Sequence, residues 1–391
     1  MSEWRETTLG DHASIQTGPF GSQLHASDYV PVGIPSIMPK NIGARLEVIP
    51  NGIAQIKESD AVRLAKYRVL ENDIVYSRRG DVEKCAFITT VEEGWLCGTG
   101  CIRVRFTSKD VAPMFVALFL SSAATRGWIS GNAVGTIMPN LNTGILKRVP
   151  LTIPSLSEQQ AIAGVLASLD DKIDLLHRQN KTLEALAETL FRQWFIEEAT
   201  ELVPITEYVD FNPIRKLAKG TEAPYLNMAS VSTSTFCPQG WYDRAFTSGM
   251  KFQNGDTLLA RITPCLENGK SAFVTFLADG QIGWGSTEFI VMRSRDPVCR
   301  FFTYALARNQ VFRDYAEGCM AGSSGRQRVD LKHLVQFEVA AVGEAKIMEF
   351  NTAIEGIPTK LNQNMLKIRT LENLRDTLLP KLMSGEVRVE L

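Results

Sequence analysis

The densest cluster of side chains able to do chemistry is Gly322-Ser-Ser-Gly-Arg-Gln-Arg328. Two glycines make the segment a mobile loop, and five polar side chains crowd onto it. Such residues form bidentate hydrogen bonds. An arginine fork matches the O6 and N7 edge of guanine, and an asparagine or glutamine amide matches adenine. The plainer reading of this loop is a solvated turn. A second loop, Gly135-Thr-Ile-Met-Pro-Asn140, occupies the corresponding place earlier in the chain.

Other chemistries find no support. Gly18-Pro-Phe-Gly-Ser22 lacks the lysine and the following helix of a phosphate-binding loop. It reads as a tight turn whose Phe20 could position a loop. No Walker motif is present, so ATP hydrolysis is not expected. Asp210-Phe-Asn-Pro213 lacks the second proline and the aromatic residue of an amino-methyltransferase motif. The histidines at 12, 25, 177 and 333 do not cluster, and no H-E-x-x-H occurs. Asp73 with Glu83 and Asp256 with Glu267 could mimic a nuclease acidic pair, but an aspartate in a turn at a strand end is the more economical reading. The seven cysteines form no C-x-x-C pair, and no histidine sits near Cys97 and Cys101, the closest two. Reduced, mostly buried thiols without a metal are expected. No apolar run reaches the ~18 residues of a membrane span, and Val111–Leu120 is interrupted by Pro113. The start, MSEWRETTLG, has no secretory pattern, so a cytoplasmic protein is expected.

The elements that must position these loops come in two copies. Thr182-Leu-Glu-Ala-Leu-Ala-Glu-Thr-Leu190 lies over Thr370-Leu-Glu-Asn-Leu-Arg-Asp-Thr-Leu378 with six of nine positions identical. Asn72–Arg78 matches Gly255–Arg261, Ala86–Ile88 matches Ala272–Val274, and Leu146-Lys147 matches Leu331-Lys332. One unit of about 190 residues is therefore used twice. Each copy opens with short β-type runs broken by turn residues. Alternation in Asp73–Ser77 and Cys101–Phe106 suggests half-buried strands. Helical patches follow near Pro113–Arg126 and Cys299–Tyr315.

From Ser157 to Glu198 the texture changes, with no proline and only Gly164 as glycine. Ser157-Glu-Gln-Gln160 has the spacing of a capping box. Leu166, Ile173, Asn180 and Ala187 recur every seven residues, as do Ile162, Leu169, Leu176, Leu183 and Leu190. This is a coiled-coil seam. The alternative is an amphipathic helix packed on its own domain. Ile347, Ile354, Leu361, Ile368 and Arg375, with Phe350, Ile357, Asn364, Leu371 and Leu378, supply a second seam. Facing residues of an antiparallel pair then have numbers totalling 544, as Asn180 and Asn364 do. A buried polar pair fixes register when each partner satisfies the other, so these two are expected to meet. Otherwise both are ordinary solvated positions. Pro358 must kink the second helix or mark where its long segment begins.

The order of these features resembles the specificity subunit of Type I restriction–modification systems. The resemblance runs through Gly18–Ser22, Pro154-Ser-Leu-Ser-Glu-Gln-Gln160, Thr182–Phe195 and Asp210–Pro213. It continues through Gly255–Pro264, Glu267-Asn-Gly-Lys270 and Leu378-Leu-Pro-Lys-Leu-Met-Ser-Gly385. The second helix departs from the pattern at Pro358 and at its weak start, Val342–Lys346. The resemblance implies an α+β chain with an internal pseudo-two-fold repeat, in which a pair of long antiparallel coiled-coil helices separates two target-recognition domains. The boundaries are 1–154 for the first recognition domain, 155–200 for the spacer helix, 201–342 for the second domain, and 343–391 for the C-terminal helix and tail. Each domain is implied to read one half of a split DNA target, and the helices to dock two methyltransferase subunits, with restriction subunits as further partners. No cofactor is expected on this chain; S-adenosylmethionine, ATP and Mg belong on partner subunits.

On this reading the candidate DNA contacts are Lys40, Asn41, Arg78, Arg79, Thr136, Asn140 and Asn142 in the first domain. In the second they are Asn227, Arg261, Ser323, Ser324, Arg326, Gln327 and Arg328. The net charge of −1 conceals an asymmetry. Residues 1–154 and 202–343 each carry +2, residues 155–201 carry −5, and residues 344–391 are neutral. Two mildly basic readers on an acidic spacer suit a chain that reads base edges while partners grip the backbone. About 40 helical residues span roughly 60 Å, under two turns of DNA. The competing reading is a protein-interaction scaffold of two β-rich modules on a coiled coil.

Overall fold

The computed structural model describes residues 4–135, 139–197, 201–233, 235–323 and 327–389. The chain forms two compact units, Met1–Lys172 with Leu371–Leu391, and Ile173–Thr370.

The repeat is visible as topology. In the first unit a sheet runs Ala13–Thr17, Cys101–Phe106, Ile74–Ser77, Cys85–Phe87, with every neighbour antiparallel. In the second the same order is built from Val209–Phe211, Phe289–Ser294, Thr257–Ala260 and Ser271–Phe273. Each unit adds a small second sheet containing one parallel pair. That pair is Ile34–Ile37 with Leu96–Cys97 in the first unit, and Glu222–Leu226 with Gly283–Gly285 in the second.

The central strands are not half-buried, as alternation suggested. Ile74–Ser77 and Thr257–Ala260 are buried at every position. Successive strand residues point to opposite faces, and both faces are covered. Ile74, Tyr76, Ile102 and Val104 pack with Phe115 and Val116 of the helix Pro113–Ser121. Their neighbours Val75, Ala86 and Cys101 pack with Ile37 and Cys97 of the small sheet. Leu259, Ile290 and Met292 face Phe302 and Leu306 in the second unit, while Leu258, Ala272 and Val291 face Leu226 and Phe252. The polar member of the alternation, Arg103, is only 6% exposed. It donates to the carbonyls of Lys66 and Arg68 and to Gln16 Oε1 at 2.8–3.0 Å.

The first long helix is Leu156–Arg192, and the second is Glu344–Ile354 followed by Gly356–Ser384. The break at Glu355 has a simple cause. Pro358 has no N–H for the carbonyl of Ile354, so the hydrogen-bond ladder stops there and restarts. The first helix is capped two residues before the anticipated position: Ser155 Oγ, not Ser157, accepts from Glu158 N at 3.4 Å. Inside the second unit Ala187 shares one core with Ile354, Ile357 and Leu361. Inside the first, Ile162 and Leu166 share a core with Leu378 and Leu382. Inside the second unit Asn180 meets Asn364, so the earlier residue of the first helix meets the later one of the second, and the two helices run antiparallel there.

Candidate nucleic-acid interface

In each unit a central strand runs out into an arginine, and a later segment of chain docks on its end. Leu141 N donates to Arg78 O at 2.8 Å, and Val329 N donates to Arg261 O at 2.8 Å. One residue back, Asn140 bridges Arg79, and Arg328 bridges Ile262. One further, Gly80 N donates to Pro139 O at 3.3 Å, and Thr263 N to Gln327 O at 3.1 Å. The same three steps thus fasten both polar loops to the same strand end. They bring together Arg78, Arg79 and Asn140 in the first unit, and Arg261, Gln327 and Arg328 in the second. Ser323 is exposed within the hairpin whose arms are Met320–Ala321 and Arg328–Val329. Thr136, Ser324 and Arg326 lie outside the described residues.

The side chains differ between copies although the backbone does not. Arg261 Nη2 donates to Val329 O at 2.9 Å, turning back onto its own loop. Arg78 makes no such bond; its guanidinium lies 5.6 Å from the Phe20 ring centroid. Arg328 grips both carboxylate oxygens of Glu288 at 2.7–3.0 Å, a fork-to-fork pair that raises its already high pKa. Asn140 carries a buried Oδ1 without a hydrogen-bond partner.

Four candidates stand apart from the loops in chain and role. Asn41 is 1% exposed; its Oδ1 accepts from Met38 N at 3.1 Å and its Nδ2 donates to Ile49 O at 3.0 Å. Its amide therefore holds a turn and offers no free edge. Asn142 caps the helix Thr143–Lys147 by accepting from Ile145 N at 2.9 Å. Asn227 accepts from Ser230 N at 2.9 Å in the same manner. Asparagine suits such positions because its short acceptor reaches the unpaired N–H groups of a helix start. Lys40, beside Asn41, is exposed. Of the acidic residues considered for nuclease chemistry, the two aspartates are structural at the strand ends. Asp73 pairs with Arg105 at 2.6 Å, and Asp256 with Arg215 and Arg293 at 2.7 Å each.

The family model for the Type I restriction modification DNA specificity domain matches residues 1–185. The "Type I restriction enzyme HindI specificity subunit" of Haemophilus influenzae is 21% identical, over 99% of this chain and 100% of that protein. The MjaIX specificity subunit of Methanocaldococcus jannaschii is 25% identical over 66% of this chain and 65% of its own. The chain is thus similar to Type I restriction–modification specificity subunits along its length, with the family's domain matched over residues 1–185. Its fold is that of the crystal structure of the Type I S subunit from M. genitalium, with a TM-score of 0.63 at 15% identity over 99% of this chain and 96% of that one.

Sequence reasoning missed residues that brace the structure around the candidate contacts and the long helices. Glu288 is one, because a partner 40 positions from Arg328 leaves no local signal. Gln159 is another. Fully buried, it accepts from Ala112 N at 2.8 Å and donates to Asp110 O and Pro154 O at 3.0 Å. Asn351 repeats that bracket in the second unit, accepting from Cys299 N at 2.9 Å and donating to Pro297 O at 2.8 Å. The changed residue type hides the equivalence. Among the described residues no group of three or more His, Cys, Asp or Glu could hold a metal, and no helix is long and apolar enough to cross a membrane.

Proposed function

We propose that this chain is the DNA-reading, non-catalytic subunit of a restriction–modification complex, and that each unit reads one half of a bipartite target. One observation carries the reading: the same strand end bears a docked polar loop in both units. A split target needs two related readers, and the duplication supplies them. Arginine and asparagine side chains gather at these loops, and they are the residue types that discriminate base edges.

The long helices set the separation of the two readers and dock two methyltransferase subunits, with restriction subunits as further partners. Leu175, Leu186, Leu366 and Leu374 are 39–58% exposed on those helices, which is apolar surface suited to a partner. S-adenosylmethionine, ATP and Mg then act on the partners. Gel shifts on random-sequence duplex, with and without methyltransferase partners and at stated salt, test the reading. Salt-dependent binding supports it, as do methylated adenines in host DNA that fall in a two-part motif. Partner binding without any DNA binding would instead support the protein scaffold.

A further inference from the structure

We infer that Arg78 is the guanine-reading residue of the first unit, held in its reading posture by the ring of Phe20, and that its counterpart Arg261 is structural. The inference rests on the DNA reading above and divides one pair of equivalent residues between two roles.

Arg78 carries five donors. Among the described residues its guanidinium makes no hydrogen bond or ion pair, and its Nε is buried without a partner. Its neighbour is the face of the Phe20 ring. A polar group taken from water without a bond is unfavourable unless something supplies the acceptor. Arg261 also leaves its Nε buried without a partner, but its Nη2 is held internally by Val329 O. Arg78 has no such internal bond, although its own backbone is docked in the same way.

Phe20 explains the difference. It is 53% exposed, yet its turn is firmly built. Gln23 N donates to Phe20 O at 2.8 Å, Phe20 N donates to Gln23 Oε1 at 3.3 Å, and Tyr67 OH anchors that same Oε1 at 2.8 Å. At Gly18 a Cβ would lie 2.1 Å from Gly98 O, so only glycine fits there. A ring carried on a turn fixed this well and left half in water is placed to receive something on its face. A guanidinium stacked on it keeps its plane and its fork direction, which leaves little entropy to lose on meeting a planar pair of acceptors. Guanine O6 and N7 are such a pair. A phosphate contact needs neither a fixed plane nor a recessed position.

The test selects bound sequences from a random duplex library with the full chain, for the wild type and for Arg78→Lys, Phe20→Leu, Phe20→Tyr and Arg261→Gln. The wild type is expected to prefer guanine at one position of one half-site by roughly 5- to 150-fold. Arg78→Lys, which keeps charge but loses the fork, should abolish that preference and leave the other half-site intact. Phe20→Leu should weaken the preference and Phe20→Tyr restore it. Arg261→Gln should lower the unfolding midpoint, since it removes the bond to Val329 O. An unchanged motif for Arg78→Lys overturns the assignment. So does an Arg78→Ala variant that loses affinity evenly across sequences with a salt slope smaller by about 1, the mark of a phosphate contact. If the wild type selects no motif at all, the DNA reading itself fails, and this inference with it.

Discussion

Asn364 Nδ2 donates to Asn180 Oδ1 at 2.9 Å, joining the two long helices inside the second unit. The bond runs one way: Asn364 is fully buried, and its Oδ1 has no partner. Such a pair selects register more than it stabilises. Asn180→Ala is expected to destabilise by about 1–3 kcal/mol, because it leaves the buried amide only its long 3.5 Å bond to Gln179 Oε1. Replacing both residues by leucine should recover that loss while permitting other registers. Urea unfolding of Asn180→Ala and of the double leucine variant tests this. Wild-type stability in Asn180→Ala would show that the amide finds another partner and that register lies elsewhere.

Gln159 closes the start of the first long helix onto the loop before Pro113. Gln159→Glu keeps the shape but removes both donors, leaving the Asp110 and Pro154 carbonyls facing a buried carboxylate. A loss of about 1–3 kcal/mol per unpaired group is expected. The urea midpoint of the first unit should drop, and DNA preference at the second half-site should persist. A midpoint within error of the wild type would mean that water replaces the amide.

The heptads at Ile173, Leu176, Ala187, Ile357, Leu361 and Ile368 were legible because a period of seven is a local signal, and all six are buried. The repeat was legible because equivalent strands kept their order. What stayed hidden depends on contacts distant in sequence. Nothing near Arg328 announces Glu288, and nothing near Arg78 and Arg261 foretells that one lies over a ring and the other bonds a carbonyl. Strands covered on both faces also erase the polarity contrast by which half-buried strands are recognised. The asparagines at 41, 142 and 227 show the limit from the other side. Residue type nominates them equally as readers or as caps, and only their bonds to backbone N–H groups decide.

Burial pushes the thiols of Cys85, Cys97 and Cys237 up to about 12 from an ordinary 9.0. Native thiolate is then scarce near pH 8, and alkylation of these three should proceed only as fast as the chain opens. The folded-state value lies above the unfolded one, so the unfolded chain releases its protons first as pH rises. The stabilising effect is complete below pH 9 and is lost as pH climbs from 9 towards 12. Urea midpoints measured across that window should fall steadily. Iodoacetamide labelling of all three in the native protein at the rate of an unfolded control would contradict the burial.

The proposed spacer role gives a length prediction. Seven residues inserted after Lys172 and seven after Thr370 lengthen both helices by about 10.5 Å, or about three base pairs of B-DNA. Both insertions preserve the heptad, and Asn180 and Asn364 stay on the same side of them, so their bond survives. The unread gap in the methylated motif should grow by about three base pairs, while the bases of each half-site stay the same. Insertion into one helix alone shifts the seams past each other and should cost stability without giving a clean longer gap. A paired insertion that leaves the gap constant, or that changes the bases read, is incompatible with helix length setting the spacing. It would move that role to the docked partners.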